Sequence, residues 1–356
     1  MMTMRWIALI LIFTLILPFT AAQGTQLASS DSLPSHVLLD GFSWVHQGVN
    51  RCSAAALTIH LSYYLDVTVD TYYELARTDL NTYGADASVR IEEMAAQAEV
   101  RGLNAIVRRG GSVDLMRQLI AAGFPVLVEN VYYDGSDLNR DWLSHNRVLV
   151  GYDDDAQSFS FQDPLLGFPD GQLIHFSYDD FDLRWKPFNR DYMIFYRDEQ
   201  QEALQAVLGE QWDAAFNAQW TLEIAEREIE SGDSYLNHSY FNLGWAQLEL
   251  GLSEEAAQSF DRARELGLPM RMLWYEFGPF VAYNAVGRYQ DTLDLIHANM
   301  SVAGDTISIE EWFYYAGLAY EGLGNRERAI TNYQVALARN GNYQEVAERL
   351  QALQQG

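Results

Sequence analysis

Cysteine is almost absent from this 356-residue chain, since Cys52 is its only one. One thiol cannot close an internal disulfide, so the fold must be held by burial, for which 49% hydrophobic residues supply the material. Cys52 is then either a small packing residue or a reactive group. The seven histidines show no metal-ligand spacing, and we expect no metal ion and no other cofactor.

Positive charge is also scarce. The chain has 23 Lys and Arg against 49 Asp and Glu, which leaves a formal net charge of -26. A surface of this sign repels phosphate backbones and anionic lipid. We therefore expect no nucleic-acid partner and no membrane association apart from the N-terminal segment described next.

The N-terminus carries a hydrophobic run. Residues 1–22 contain Arg5, an apolar stretch over 6–19 and small residues at 20–22. The stretch is short for a membrane span, so we interpret 1–22 as a signal peptide and the protein as secreted. An uncleaved N-terminal anchor is the alternative. Residues 23–34 are rich in Ser and other small polar residues, and 23–39 are interpreted as a flexible tether.

Cys52 opens an apolar stretch that is expected to be helical. In the first turn of a helix, unpaired backbone N–H groups and the positive end of the helix dipole favour thiolate over thiol. His145 stands at the start of a predicted strand, and Asp163 follows the next predicted strand. Cys, His and Asp in this order, with Gln47 five residues before the cysteine, are typical of papain-like cysteine hydrolases.

Four segments carry a more specific resemblance: 47–52 (Gln-x4-Cys), 123–128 (Gly-Phe-Pro-Val-Leu-Val), 145–153 (His-x5-Gly-Tyr-Asp) and 163–164 (Asp-Pro). Together they resemble the double-glycine leader peptidases of bacteriocin exporters, and more closely the stand-alone secreted relatives of that family. The resemblance covers about residues 40–197. Where the family usually has Cys-Gly-Pro, this chain has Cys-Ser-Ala, and the Cβ of Ser53 is expected to narrow the site or alter the turn.

The resemblance implies a role for each residue. Cys52 is the nucleophile, His145 its acid and base, and Asp163 the group that orients the imidazole. Gln47 is expected to donate its side-chain N–H to the developing oxyanion. The implied function is a secreted cysteine peptidase that hydrolyses peptides or proteins. The alternative is a catalytically inactive, peptidase-like scaffold that binds peptides.

The pattern of elements divides the chain in two. In residues 40–200 helices come first and strands later, which indicates an α+β papain-like domain with a largely antiparallel sheet. Helices are expected at 52–64, 69–77, 88–102 and 112–122, and strands at 104–108, 125–132, 146–152, 158–162, 172–176 and 192–196.

Residues 205–356 show a repeat instead. Small residues and one aromatic recur at fixed offsets: Gly244, Gly251, Ala256, Phe260 and Ala263, then Gly317, Gly324, Ala329, Tyr333 and Ala336, with a degenerate copy between them. The spacing resembles the tetratricopeptide repeat and predicts an all-α solenoid. We expect this domain to recruit a substrate or a protein partner.

Overall fold

The structure, a computed structural model, describes residues 33–80, 88–132, 143–304, 307 and 309–355. The predicted signal peptide, 1–22, and most of the predicted tether, 23–39, lie outside the described residues. Within the described ranges, no helix combines the length and the apolar character needed to cross a bilayer.

The N-terminal domain is built on a seven-stranded sheet in the order β2-β7-β3-β4-β5-β6, with β1 paired to β4. Every ladder is antiparallel, as predicted. The strands are β1 His36–Leu38, β2 Asn104–Arg108, β3 Val126–Tyr132, β4 Leu143–Asp153, β5 Ser158–Gln162, β6 Ile174–Ser177 and β7 Tyr192–Tyr196.

Four helices pack on the sheet: α1 Cys52–Ser62, α3 Ile91–Val100, α4 Val113–Ala121 and α5 Tyr178–Trp185. A further helix, α2 Val69–Glu74, packs against α1. The pleat sends alternate side chains to opposite faces of the sheet. Val148 and Val150 of β4 pack in the cluster that contains α1 and α3, while Leu149 packs in the cluster that contains α4 and α5. The sheet therefore has a hydrophobic core on each face.

Each predicted helix and strand of this domain is present. Strands β2, β5 and β7 have the predicted bounds, the other elements have shifted ends, and β1 and α5 were not predicted. α2 continues directly into one π-helical turn, Leu75–Asp79. The sequence of α5 is short and acidic, too brief to establish a helical period. It is stabilised by Ser177, whose side chain accepts a hydrogen bond from the Asp180 N–H, and by the stacked rings of Phe181 and Trp185.

After Tyr196 the described residues contain helices and no strand, which confirms the predicted all-α region. The helices are α6 Gln201–Leu208, α7 Ala214–Ser231, α8 Leu236–Glu249, α9 Ser253–Glu265, α10 Gly278–Ala285, α11 Tyr289–Ala303, α12 Glu310–Gly322, α13 Arg326–Arg339 and α14 Gln344–Gln355. The three predicted copies are the helix pairs α8–α9, α10–α11 and α12–α13.

The repeated residues build these pairs. Gly251, Gly287 and Gly324 stand in the turns with φ of +76°, +77° and +73°, a conformation that favours glycine. On the first helix of a pair, Gly317 lies directly against Tyr333, since a Cβ on Gly317 would stand 2.3 Å from Cε1 of that ring. In the same way, a Cβ on Gly244 would stand 2.7 Å from Cε1 of the Phe260 ring.

The two domains share a packed interface. Lys186, the only lysine of the chain, is buried and binds Glu228 Oε2 at 3.1 Å and Asp233 Oδ2 at 2.9 Å. Val131 and Phe188 of the sheet domain pack into the core of the repeat helices. The predicted boundary near 200–205 falls within this contiguous structure and stays a prediction.

The close approach of Gly317 to Tyr333 predicts a destabilising effect for Gly317→Ala. Alanine is the better helix former by about 0.5–1 kcal/mol, but the added methyl overlaps a buried ring, and overpacking costs about 1–3 kcal/mol. We expect a net loss of stability, measured by urea unfolding. The matched control is Gly341→Ala, where the nearest atom is 4.0 Å from the new Cβ and little change is expected. A Gly317→Ala protein more stable than the parent contradicts this packing.

Candidate active site

Cys52 is the first residue of α1, a helix with no acidic residue in its first turn and no side-chain cap. Its side chain is half-buried and lies against two neighbouring residues of β4. It is hydrogen-bonded with His145, and the Nδ2 of Asn146 is 3.9 Å from its Sγ. The helix start and the strand thus bring thiol and imidazole together from positions 93 residues apart.

These contacts change the acidity of the thiol. Burial by itself raises the pKa of Cys52, because the thiolate loses hydration. The hydrogen bond and positive charge of His145, together with hydrogen bonds from Asn146, outweigh burial and lower the pKa to about 7. A substantial fraction of Cys52 is therefore thiolate near neutral pH.

His145 is held by Asp163. Its Nε2 lies 3.0 Å from Asp163 Oδ1, and both side chains are buried. This leaves Nδ1 as the ring nitrogen for the thiol. Burial and the charge of Arg147 lower the pKa of His145, but the hydrogen bond and charge of Asp163, with the hydrogen bond of Cys52, raise it overall. The raised pKa of His145 and the lowered pKa of Cys52 favour a thiolate–imidazolium pair.

Asp163 is fixed by four donors. Oδ1 accepts from His145 and from the backbone N–H groups of Leu165 and Leu166, both at 2.8 Å. Oδ2 accepts from Arg147 Nε at 2.9 Å. Burial opposes ionisation, but these donors and the charges of His145 and Arg147 hold the pKa of Asp163 well below its usual range. The carboxylate stays charged and keeps one orientation.

Arg147 was missed in the sequence analysis. It is 1% exposed, and its Nη1 donates to Asn130 Oδ1 at 2.8 Å, while its guanidinium lies 4.8 Å from the centre of the Phe176 ring. It follows His145 by two residues on β4 and so shares its face of the sheet. A charged residue directly before the apolar run 148–150 of a predicted strand was the signal that could have identified it.

Gln47 lies beside the Asp163–Pro164 turn. Its backbone N–H donates to the Pro164 carbonyl at 3.0 Å, and the indole N–H of Trp44 donates to the Asp163 carbonyl at 2.8 Å. The Oε1 of Gln47 is buried without a hydrogen-bond partner. The segment before Cys52 is therefore packed against the turn that follows β5. The role of Gln47 as an oxyanion donor stays a prediction.

Ser53, which stands where the related sequences usually have glycine, is buried within regular helix. Its Oγ accepts a hydrogen bond from Asn146 Nδ2 at 3.2 Å. The same amide nitrogen faces Cys52, so the hydroxyl helps to hold Asn146 in place beside the sulfur. Asn146, the neighbour of His145 in sequence, was not identified as a site residue from sequence.

His60, also on α1, is outside this group. It is fully buried, its Nε2 is 3.1 Å from the Pro125 carbonyl, and its ring stacks on Phe195. Burial lowers its pKa to about 3, so it is a neutral packing residue. No group of three or more His, Cys, Asp or Glu side chains in the described part of the chain is arranged to hold a metal ion.

The pairing of Cys52 with His145 predicts a pH profile. The rate of alkylation by iodoacetamide should rise with a midpoint near pH 7 in the parent. In His145→Ala, burial remains while the main lowering interactions are lost, so the midpoint should move to about 8.5 or above. Because Cys52 is the only cysteine, intact-mass spectrometry reads the reaction directly.

The matched control for this experiment is His297→Ala, which removes an exposed imidazole on α11 and should leave the midpoint unchanged. Circular dichroism checks that both variants are folded. Equal midpoints in the parent and His145→Ala would mean that the imidazole does not act on the thiol.

Two protein-family models match parts of the chain. Residues 39–193 match the Peptidase_C39 like family, and residues 238–266 and 313–343 match the tetratricopeptide repeat. No curated protein matches the chain.

Two solved structures are similar at low identity. One is described as a C39-like peptidase from Bacillus anthracis, with 18% identity over 46% of this chain and 98% of that chain, and a TM-score of 0.35. The other is a double glycine motif protease from an AMS/PCAT transporter in complex with the leader peptide, with 20% identity, 45% and 96% coverage, and a TM-score of 0.31. The chain thus joins a Peptidase_C39-like domain, residues 39–193, to tetratricopeptide repeats.

Proposed function

We propose that the protein is a secreted cysteine peptidase that hydrolyses peptide bonds, with Cys52, His145 and Asp163 as its catalytic groups. The observation that carries the proposal is the continuous contact from the thiol to the imidazole and from the imidazole to Asp163 at 3.0 Å. A merely structural cysteine does not require a pKa lowered to about 7 by a histidine that is itself oriented by a buried carboxylate.

The chemistry proceeds through a thioester. The Cys52 thiolate attacks the carbonyl carbon of the scissile peptide bond, and the resulting oxyanion collapses as the C–N bond breaks. The His145 imidazolium gives its proton to the leaving amine. Water then attacks the thioester carbonyl while His145 takes a proton from it, and the acid product leaves with the thiolate restored.

Arg147 acts as a positioning residue in this scheme. It binds the Asp163 oxygen that His145 does not use, so the carboxylate cannot rotate away from the imidazole. Its charge also lowers the pKa of His145, against the raising effect of Asp163. A histidine that must both release and accept protons works best when its pKa stays near the working pH.

The oxyanion is proposed to bind two donors. One is the backbone N–H of Cys52, which at the start of α1 has no partner within the helix. The other is the side-chain amide of Gln47, whose backbone is docked beside Asp163 and Pro164. The tetratricopeptide repeats are proposed to recruit the substrate or a protein partner.

The proposal predicts a ranked loss of activity, measured as turnover of a cleaved peptide selected from a library. Cys52→Ala removes the reacting atom and should abolish turnover. Asp163→Asn misorients the imidazole and should cost about 10⁴-fold in kcat. Gln47→Ala removes one oxyanion donor and should cost about 10²–10³-fold.

His297→Ala is the matched control and should retain parental activity, because this exposed residue lies on α11. If all the variants hydrolyse peptide like the parent, the activity comes from a contaminating protease. If the folded parent gives no Cys52-dependent turnover across the library, the inactive peptide-binding scaffold replaces the peptidase.

Secretion has its own test. Residues 1–22 have the charge, apolar stretch and small residues of a signal peptide. Expressed in a secreting bacterial host, the protein is expected outside the cytoplasm with Gln23 as its N-terminal residue by mass spectrometry. A membrane-bound product that retains residues 1–22 would instead support the uncleaved anchor.

A further inference from the structure

A cavity of about 270 Å³ lies where the sheet domain meets the repeat helices. The sheet domain contributes Glu92, Glu129 and Asp191 to its wall, and the repeat domain contributes Tyr275 and Glu276. Both domains are therefore needed to form it. None of these residues takes part in the chemistry proposed for Cys52, His145 and Asp163.

The cavity adjoins the thiol. Glu129 of β3 pairs in register with Asn146 of β4, whose Nδ2 is 3.9 Å from Cys52 Sγ. The hydroxyl of Ser144 donates to the carboxylate of Glu129. From the opposite wall, the Tyr275 hydroxyl is hydrogen-bonded with the backbone of Ser144, immediately before His145. A substrate bound at Cys52 thus has this cavity directly beside it.

The wall of the cavity is rich in carboxyl groups. Its described lining includes two cations, Arg90 and Arg109, and both already have carboxylate partners. Arg90 Nε lies 3.4 Å from Glu93 and 3.6 Å from Glu311. Arg109 is paired with Glu249 and lies 3.9 Å from Glu92. Glu129, Asp191 and Glu276 remain in excess of the positive charge.

One carboxyl oxygen of Asp191 has no hydrogen-bond donor. Asp191 is 4% exposed, and Oδ1 is the oxygen without a partner. A buried carboxylate oxygen without a donor is destabilising, and such groups are normally paired. Burial and neighbouring carboxylates raise the pKa of Glu129 and Asp191 well above the usual range and that of Glu276 to about 7. The raised pKa values mean that these groups hold protons near neutral pH when no cation is bound. A positive ligand favours their ionised form and supplies the missing hydrogen bond.

The residues that line the cavity favour an organic cation over a metal ion. The carboxyl groups line its wall without converging, and none of the described His, Cys, Asp and Glu side chains form a group that could hold a metal. Ile91, Phe277 and Val281 add apolar surface to the same wall. An ammonium or guanidinium group on an aliphatic stem matches both features, because its methylenes pack on apolar surface while its head binds carboxylates.

We propose that this cavity is a substrate subsite beside Cys52 that takes the side chain of a lysine or arginine in the peptide, with Asp191 and Glu276 as its cation-binding groups. The inference rests on the proposed peptidase function for the identity of its ligand. It gives the repeat domain a direct part in specificity, since Glu276 and Tyr275 belong to the segment that leads into α10.

The first experiment needs no hydrolysis. The rate at which Cys52 reacts with a cationic reagent, 2-aminoethyl methanethiosulfonate, is compared with the rate for the anionic 2-sulfonatoethyl reagent. The neutral methyl methanethiosulfonate corrects both rates for changes in thiol acidity. The rates are measured above pH 8, where Glu276 with its pKa of about 7 is ionised, and the carboxylate field beside the thiol should there favour the cationic reagent by at least about tenfold. Asp191→Asn and Glu276→Gln should each lower this ratio.

Glu230→Gln is the matched control, because it removes one exposed carboxylate of α7 and should leave the ratio unchanged. Glu276 is half-buried and on the other domain from Asp191, so it provides a second variant if Asp191→Asn does not fold. A parental ratio near one overturns the inference, and so does a ratio that neither variant lowers.

The second experiment identifies the ligand. Peptides that carry lysine, arginine, norleucine or glutamate at each position in turn are tested for binding to Cys52→Ala by fluorescence anisotropy, and for hydrolysis by the parent. Lysine or arginine at one position should improve binding at least about tenfold over norleucine, and Glu276→Gln should reduce that gain.

The outcomes separate the two proposals. Cys52-dependent hydrolysis without any preference for lysine or arginine overturns the subsite and leaves the peptidase standing. Selective binding of basic peptides without hydrolysis supports the subsite and overturns the peptidase.

Discussion

The geometry of the candidate site depends on one buried carboxylate. Asp163 is fully buried, at the point where β5 has just ended, and it is ionised only because His145, Arg147 and two backbone N–H groups donate to it. Removing any one donor leaves a buried charge with poorer compensation, which is far more costly than losing the same bond at the surface. The carboxylate therefore fixes the imidazole, and the imidazole in turn sets the acidity of the thiol.

The same carboxylate organises the surrounding backbone. Its Oδ1 receives the N–H groups of Leu165 and Leu166, which shapes the turn after β5. The carbonyls of Asp163 and Pro164 then receive donors from the segment that precedes Cys52, namely the Trp44 indole and the Gln47 backbone. One interaction thus joins the histidine strand, the turn after β5 and the approach to the nucleophile helix.

The interface between the domains uses charge differently in two places. At Lys186 the buried cation lies 3.1 and 2.9 Å from two carboxylates of the repeat domain, which balance its charge. Around Glu129, Asp191 and Glu276 carboxylates outnumber the available arginines, and one Asp191 oxygen has no donor. The first arrangement holds the domains together. The second raises the pKa values of carboxyl groups near Cys52, and a cationic ligand would favour their ionised form.

The sequence by itself determined the periodic features. The repeat helices follow from Gly317 and Tyr333 at a fixed offset and from turn glycines such as Gly324, because close helix packing and positive φ impose local requirements on residue type. The antiparallel sheet was also predicted from the sequence, and so was the pairing of roles among Cys52, His145 and Asp163 from their order. Tertiary structure alone decided the contacts between distant segments. No periodic pattern in the sequence indicates these contacts. They include Arg147 with Asp163, Asn146 with Cys52, and the cavity that Glu129, Asp191 and Glu276 line together. They arise only when the sheet register and the docking of the repeats bring those residues together.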